Sequence, residues 1–430
     1  MDWINIVITG FDGLNSKLTG AGVVVRSIVE EFEQLIAESR VLTPSNTRLF
    51  ALTAYLREDA PDLNRELRDE TQAFCRKWNG DLITYRTYSD GYNRSQLWSP
   101  TQKGGGYNQW LSNSLSVANV AMMIERQYGQ VLLITHDTPF AQVSRYLMPE
   151  SNVKHFWVPH SMGAIFFDNW SKAKARFERV GLKHIVERGD SVGATTEEFD
   201  RTMRQEVKGI KKPLRSYLLS NNFISMKREM LDEERQSILA RYQIPADKKL
   251  IFVWGRCVPQ KGWDITLPTL KRFFETPEHQ QQYHAVLLMP TGAMTNDYAQ
   301  NALRLMDELS EQHCTKITTF DYDLPSAMLN SRNLDMVLLT SRWEGMSLVA
   351  LEIYNTVKTS VAIVYSDIHY FNVIFPKMHN SFQMPEFSSD ALYDTVIEAV
   401  ETPRSEQPFE EMESAISTYA KAFDAELERK

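Results

Sequence analysis

Short apolar runs that alternate with helical patterns are the feature that most restricts the fold of this chain. The first half contains INIVITG, QVLLITHD, KHFWVPHS and GDSVGATT, and the second half contains KLIFVWGR, HAVLLMPTG, KITTFDYD, LDMVLLTS and TSVAIVYSD. Runs of this kind are typical of strands that are buried on both faces of a parallel sheet and joined by crossover helices. The pattern therefore predicts an α/β chain with two doubly wound, Rossmann-like domains.

A polar, helix-prone segment without a strand signal separates the two sets of runs, between about residues 225 and 248. A chain of 430 residues is also long enough for two or three domains. We therefore predict a first domain over residues 1–225 and a second over residues 226–405. Residues 406–430 contain a proline followed by an amphipathic pattern, which predicts a C-terminal helix.

Charge and composition exclude several classes of protein. A net charge of −8 provides no global basic field to hold nucleic acid. The cysteines are isolated from one another, which argues against a zinc site and a disulfide framework. No apolar stretch approaches the ~18 residues of a membrane span, and MDWINIVITGFDG does not resemble a signal peptide. We expect a soluble, cytoplasmic protein without a transmembrane segment; peripheral membrane association and a homodimer stay open.

A basic turn follows the first strand pattern of the second half. The segment WGRCVPQKGWD places Arg256 and Lys261 near the carboxyl end of a strand, where open α/β sheets bind ligands. Arginine offers a bidentate fork and lysine a compact charge, so the two together can neutralise a diphosphate. A solvated basic loop explains the spacing equally well.

Two glutamates lie eight positions apart in the stretch TSRWEGMSLVALEIYNT. On one continuous helix, Glu344 and Glu352 would be roughly 12 Å apart along the axis and rotated by about 80°. If EGMS is a loop and the helix begins near Ser347, a good N-cap residue, both carboxylates can reach one ligand. The N–H groups of the first helical turn would then face an anion. The alternative is two charges without a shared task.

Together, these two segments resemble the retaining glycosyltransferases of family 4, which share the GT-B fold with bacterial glycogen synthase and sucrose-phosphate synthase. The family pattern G-R-x-x-x-x-K-G appears here as GRCVPQKG, and its two glutamates separated by seven residues appear as the pair just described. The resemblance is specific from about residue 250 to residue 368. It implies two Rossmann-like domains that face a cleft, with the helix of residues 406–430 crossing back to pack on the first domain.

The resemblance also implies a donor site in the second domain. The two cations of the basic turn would bind the donor diphosphate and stabilise the leaving nucleotide. Glu352 would accept hydrogen bonds from the ribose, and Glu344 would hold the sugar with the help of backbone groups. The implied donor contacts are Arg256, Lys261, Glu344, Met346, Ser347, Leu348 and Glu352.

Weaker matches lie in the first half. LTGAGVVVRSIVEEF looks like the family's glycine-rich loop, in which Gly22 would approach the donor phosphate and Gly20 would lie on the acceptor side. WVPHSMG resembles the family strand that ends in a histidine beside the donor sugar, so His160 is predicted to be catalytic, together with Arg256, Lys261 and Glu344. His136 and Asp137 look like the acceptor-side pair. A plain turn and a structural histidine are the alternatives.

Two segments depart from the family pattern or stand outside it. Where the family has Gly-Phe-Gly, this chain has Gly345-Met346-Ser347, which adds a Cβ where a phosphate would lie. The aromatic-rich segment from Tyr88 to Trp110 is predicted to be a long surface loop; stacking of its rings on sugars or other flat ligands is the alternative.

The segment FDYDLP contains a D-x-D pair, Asp321 and Asp323, that could hold a metal ion with a diphosphate. A helix-capping turn is the favoured interpretation, because the pair lies away from the matched motifs. Since the basic turn can supply positive charge, the prediction is no metal site and no obligatory cofactor.

The expected function is that of a retaining glycosyltransferase. It would move a hexose from a nucleotide-diphosphate sugar, with a UDP-sugar as the expected donor, to an acceptor hydroxyl. Retention without a carboxylate nucleophile implies, by the resemblance, front-face attack. A glycan, a lipid-linked glycan, a protein and a small metabolite all stay open as the acceptor. The alternatives are a GT-B nucleotide-sugar epimerase or hydrolase, and a catalytically silent sugar-nucleotide-binding protein.

Overall fold

The computed structural model describes residues 3–16, 20–60, 62–87, 106–165, 169–227, 229–291, 296–321, 323–345 and 347–429. Contacts between Cα atoms divide the chain into two compact units. The first unit comprises Met1–Ser225 and Glu413–Lys430, and the second comprises Met226–Met412. Most of the predicted aromatic loop, residues 88–105, lies outside the described residues, as does Met346. The prediction of a loop was wrong for residues 106–110, which form the first turns of a helix.

Seven parallel strands form the sheet of the first unit, in the order β3-β2-β1-β4-β5-β6-β7. These strands are β1 (Ile4–Thr9), β2 (Thr47–Ala54), β3 (Leu82–Tyr85), β4 (Val131–His136), β5 (Lys154–Val158), β6 (Ser191–Ala194) and β7 (Arg215–Leu218). The helices of this unit are α1 (Gly20–Glu30), α2 (Phe32–Glu38), α3 (Arg65–Lys77), α4 (Gly106–Tyr128), α5 (Val143–Tyr146), α6 (Asn169–Arg188), α7 (Glu197–Glu206) and the C-terminal α16 (Ala415–Leu427).

Six parallel strands form the sheet of the second unit, in the order β10-β9-β8-β11-β12-β13. They are β8 (Lys249–Trp254), β9 (Tyr283–Leu288), β10 (Cys314–Ile317), β11 (Leu334–Leu339), β12 (Ala362–Ser366) and β13 (Ser381–Met384). The helices are α8 (Asp232–Arg241), α9 (Trp263–Phe273), α10 (Pro277–Gln282), α11 (Asp297–Asp307), α12 (Asp323–Leu329), α13 (Leu348–Thr356), α14 (His369–Ile374) and α15 (Ser389–Glu401).

The central strands are buried as their sequences predict. Every residue of β1, β4 and β9 is buried, which requires cover on both faces of each sheet. The outer strands β3 and β7 are partly exposed. These features confirm the prediction of two doubly wound parallel sheets.

The C-terminal helix α16 packs within the first unit, against α2. Its Tyr419 and Phe423 are fully buried, and the buried carboxylate of Asp424 accepts hydrogen bonds from Ser39 Oγ and from Arg40 N, the latter at 2.7 Å. Residues 406–412, by contrast, lie in the second unit, where Tyr354 Oη donates to the carbonyl of Glu410 at 2.6 Å. Among the described helices, none has the length and apolar character needed to cross a bilayer.

Candidate functional site

Both groups of predicted site residues lie where the strand order of a sheet reverses. In the first sheet the reversal falls between β1 and β4, and His136 is the last residue of β4. In the second sheet it falls between β8 and β11, which are followed by Gly255 and Thr340. Open α/β sheets bind ligands beyond the carboxyl ends of their strands at this position. The two groups belong to different units.

The turn that follows β8 is fixed to the loop that follows β11. Gly262 has a φ of 69°, and a Cβ built on it would lie 2.0 Å from the carbonyl oxygen of Thr340. Thr340 Oγ1 donates to the carbonyl of Lys261 at 3.0 Å and lies 2.6 Å from Thr266 Oγ1. The left-handed glycine therefore lets the basic turn lie directly against the end of β11.

This arrangement brings the predicted residues Lys261 and Glu344 together. The ammonium of Lys261 forms an ion pair with Glu344 Oε1, which also accepts a hydrogen bond from Ser341 Oγ at 2.7 Å. Gln260 Nε2 donates to the other carboxylate oxygen at 3.2 Å. The Glu344 side chain is 7% exposed and that of Lys261 is 18% exposed. Because both oxygens have donors, the carboxylate is held in one orientation beside a partly accessible cation.

Arg256 and Glu352 are placed differently from this pair. Arg256 is exposed in the turn after β8, and its guanidinium forms no hydrogen bond or ion pair with the residues that the structure describes. Glu352 is half-buried in the second turn of α13. The basic turn thus presents one cation paired with a carboxylate and one exposed cation.

The helix α13 begins at Leu348, as predicted from Ser347. Ser347 is the N-cap residue, and its hydroxyl accepts a hydrogen bond from Ala350 N at 3.4 Å. Glu344 therefore lies outside the helix and Glu352 inside it. The two glutamates are therefore not separated by the roughly 12 Å and about 80° that one continuous helix would impose, so both can contact one ligand.

The Ser347 cap gives the first testable prediction. We expect Ser347→Ala to lower the free energy of unfolding by about 1 kcal/mol and Ser347→Gly by only a few tenths, because glycine is itself an acceptable N-cap residue. Urea denaturation of both variants measures this.

Ser388 provides the matched control, because it caps α15 in the same way, accepting from Ala391 N at 3.1 Å. Ser388→Ala should lower stability by a similar amount. A Ser347→Ala variant as stable as the unmodified chain would contradict the assignment of the cap.

In the first unit, the two predicted histidines contact each other. His136 Nδ1 lies 2.9 Å from His160 Nε2, and the rings are nearly parallel, with an interplanar angle of 8°. Burial lowers the pKa of His160 to about 4, an effect that nearby Asp137 opposes and Lys174 reinforces. Burial also holds the pKa of His136 well below its usual value, assisted by His160. Both rings are therefore neutral at pH 7.

Asp137 follows β4 in an uncommon backbone conformation. Its φ is 71°, which only a few per cent of non-glycine residues adopt. The indole of Trp157 donates to its carbonyl at 2.9 Å, and Ser161 Oγ donates to its carboxylate at 3.3 Å. The residue is thus held at the end of β4 by contacts from β5 and the loop after it.

The two predicted glycines lie in the first turn of α1. The helix begins at Gly20, and a Cβ built on Gly22 would lie 2.0 Å from Asp12 Oδ1 and 3.0 Å from Gly13 N. Gly22 therefore allows the segment after β1 to approach the helix closely. This packing accounts for the glycine, and its contact with a phosphate stays a prediction.

The sequence interpretation missed two charged residues beside the histidines. Lys174 and Glu178 lie one turn apart on α6, 8% and 1% exposed, and both contact the loops that carry His160 and Asp137. Their only signal in the sequence is a lysine and a glutamate four positions apart after WVPHSMG, a spacing that usually indicates a surface pair.

The D-x-D segment serves as a helix cap. Asp321 Oδ1 accepts hydrogen bonds from Asp323 N at 2.8 Å and Leu324 N at 2.7 Å, at the start of α12. Its other oxygen accepts from the hydroxyl of Tyr242. Tyr322 lies outside the described residues. Within those residues, no three His, Cys, Asp or Glu side chains are grouped as a metal ion requires.

The chain was compared with protein families, curated protein sequences and solved structures, and only solved structures are similar to it. No protein-family model and no curated protein sequence matches the chain. A UDP-forming α,α-trehalose-phosphate synthase from Burkholderia xenovorans, in complex with glucose-6-phosphate, is similar in structure with a TM-score of 0.65 and 11% identity, over 99% of this chain and 100% of that chain. Sucrose-phosphate synthase from Thermosynechococcus elongatus has a TM-score of 0.63 and 14% identity, over 98% of this chain and 94% of its own.

A trehalose-6-phosphate protein from E. coli bound with UDP-2-fluoro glucose has a TM-score of 0.60 and 12% identity, over 98% of this chain and 95% of its own. Identities this low show a shared fold alone, and they do not choose between families within it. The two parallel α/β sheets of seven and six strands therefore have the GT-B fold, as predicted.

Proposed function

We propose that the chain is a retaining glycosyltransferase that moves a hexose from a nucleotide-diphosphate sugar to an acceptor hydroxyl. The observation that carries this proposal is the arrangement at the switch point of the second sheet. There, Lys261, in the turn after β8, forms an ion pair with the oriented carboxylate of Glu344, in the loop after β11. Arg256 lies in the same turn as Lys261. Cations for a diphosphate and carboxylates for sugar hydroxyls are the groups that such a donor requires.

In this proposal, Arg256 and Lys261 bind the diphosphate, and the N-terminus of α13 adds backbone N–H groups. Glu344 holds hydroxyls of the hexose, and Glu352 accepts hydrogen bonds from the ribose. The bond between the anomeric carbon and the phosphate oxygen breaks as the acceptor oxygen bonds to the same face. The acceptor proton passes to the departing phosphate, whose negative charge the two cations stabilise.

In the first unit, His136 and Asp137 are the proposed acceptor-side residues, and His160 is a proposed catalytic residue. Because both histidine rings are neutral near pH 7, they can orient hydroxyl groups through hydrogen bonds without adding charge. No obligatory metal is part of the proposal, because the two cations of the basic turn supply the positive charge. UDP is the proposed nucleotide; one similar protein is UDP-forming and another is bound with UDP-2-fluoro glucose.

The test is a panel of UDP-, GDP- and ADP-sugars offered with sugar, sugar-phosphate and glycan acceptors, with release of the nucleotide as the readout. We expect release from a UDP-sugar that depends on an acceptor and yields a product of retained configuration. Glu352→Ala should weaken donor binding while the fold is kept. Release without any acceptor would instead indicate a hydrolase or an epimerase. Donor binding without turnover on any acceptor would indicate a silent binding protein.

A further inference from the structure

Helix α6 places two buried ionisable side chains beneath the ends of β4 and β5; burial raises the pKa of Glu178 to about 7, an effect that Lys174 opposes. Lys174 and Glu178 are four positions apart, so they project from the same face of the helix. Their charged groups are 3.8 Å apart, and the side chains are 9% and 2% exposed. A buried ion pair contributes little net stability compared with an apolar pair of similar volume. This pair therefore calls for an explanation beyond stability.

Glu178 links the two loops directly. Its Oε1 accepts a hydrogen bond at 2.6 Å from the hydroxyl of Thr138, which follows the end of β4. Its Oε2 accepts a hydrogen bond at 2.8 Å from the backbone N–H of Gly163, which follows β5. Each oxygen of one buried carboxylate is thus bonded to a different strand-end loop.

Lys174 forms a second link between the same loops. Its ammonium donates to Ser161 Oγ at 2.5 Å, and Ser161 Oγ donates to the carboxylate of Asp137 at 3.3 Å. Asp137 lies in the loop after β4 and Ser161 in the loop after β5. The two residues next to them in sequence, His136 and His160, are the ones that share a hydrogen bond.

The histidine contact is sensitive to the distance between these loops. A neutral imidazole has one N–H and one lone pair, so the shared bond uses one of each. The outer atoms, His136 Nε2 and His160 Nδ1, therefore have one N–H and one lone pair between them. Both outer atoms are buried and have no hydrogen-bond partner among the described residues. The shared bond therefore requires that one, and only one, of the two outer nitrogens carries a proton, and a shift of the loops that breaks this bond would free each ring to adopt either tautomer.

We propose that Lys174 and Glu178 are positioning residues that hold His160 in hydrogen-bond contact with His136 by linking the loops after β4 and β5. The part of this proposal that concerns catalysis rests on the proposed function. The part that concerns the histidine contact does not, because that contact exists without a substrate.

The experiment uses the full chain labelled with ¹⁵N-histidine and follows the ring N–H resonance shared by His136 and His160. His136→Asn and His160→Asn assign this resonance. We expect it in the unmodified protein and expect its loss in Glu178→Gln and Lys174→Met, because each variant removes one link and leaves the other charge buried without its counter-charge. Glu187→Gln is the matched control on the same helix, since that side chain is 61% exposed, and it should leave the resonance unchanged.

The double variant Lys174→Met/Glu178→Leu protects the test against misfolding, because removing both buried charges is tolerated better than removing one. A double variant that keeps the unmodified resonance would overturn the proposal. If the protein transfers sugar, we further expect kcat of Glu178→Gln to fall about 10²-fold with an unchanged KM for the donor, as misplaced groups typically cause. If the protein transfers no sugar, only the kcat measurement is lost. The ring N–H resonance still tests whether Lys174 and Glu178 hold the two histidines in contact.

Discussion

Lys261→Ala is expected to lower kcat for sugar transfer by about 10²–10³-fold, the effect of removing one preorganised group that stabilises developing charge. In the proposed reaction, the ammonium of Lys261 neutralises the diphosphate as the nucleotide leaves. The variant also removes the counter-charge of Glu344, whose side chain is 7% exposed. Because the first of these interactions strengthens as charge develops on the leaving nucleotide, kcat should fall more than the affinity for the donor. Steady-state kinetics with the active UDP-sugar measures the change.

The control for this variant is Lys271→Ala in α9. Its ammonium pairs with Glu308 at 2.8 Å and its side chain is 51% exposed, so loss of this pair should leave kcat unchanged. Lys261→Arg keeps the positive charge and should retain more activity than the alanine variant, although its planar fork fits a lysine site imperfectly. Folded Lys261→Ala protein with the same sugar-transfer activity as the unmodified protein would rule out the proposed donor site.

The sequence predicted the centre of each sheet better than its edges. The strands β1, β4 and β9 are continuous apolar runs because they are covered on both faces. The outer strands β7, RSYL, and β13, SFQM, lack such a run because part of each is exposed. In β2, Arg48 interrupts the apolar pattern; its guanidinium lies 4.2 Å from the ring of Trp3. Four strands were not recognised: β7 and β13, which lack the apolar run, and also β3 and β2, although β2 contains the buried run LFAL.

For the site, the sequence predicted local features and not the contacts between distant segments. The N-cap at Ser347 depends on residues next to it and was predicted correctly. The pairing of Lys261 with Glu344 joins residues 83 positions apart and depends on the adjacency of β8 and β11. Similarly, the contact between His136 and His160 follows from the pairing of β4 with β5. The order of the strands in each sheet therefore determines which distant residues come into contact, and the spacing of residues within a motif does not.

Gly262→Ala is expected to disrupt the proposed donor site by displacing the backbone of the basic turn. Any L-residue at a φ of 69° is strained by about 1–2 kcal/mol, and here a Cβ would also lie 2.0 Å from the carbonyl oxygen of Thr340. Either the basic turn or the end of β11 must move, and both carry site residues. We therefore expect a loss of stability greater than the conformational strain alone, together with weaker donor binding. Urea denaturation and calorimetry with the UDP-sugar measure the two effects.

Gly189→Ala separates the clash from the strain. Gly189 has a similar φ of 77°, but a Cβ built on it would meet no atom within 4 Å. This control should lose only the roughly 1–2 kcal/mol of the left-handed conformation and should bind the donor normally. Equal losses of stability in the two variants would mean that the contact between Gly262 and Thr340 relaxes without cost. Unchanged donor binding in Gly262→Ala would mean that the close approach of the basic turn to β11 does not position Lys261 for the ligand. The backbone fixes the position of the Cβ, and the atom that it meets is a backbone carbonyl oxygen, so a rotamer change alone cannot relieve the clash. The difference in stability between the two alanine variants therefore measures the cost of separating the basic turn from the end of β11.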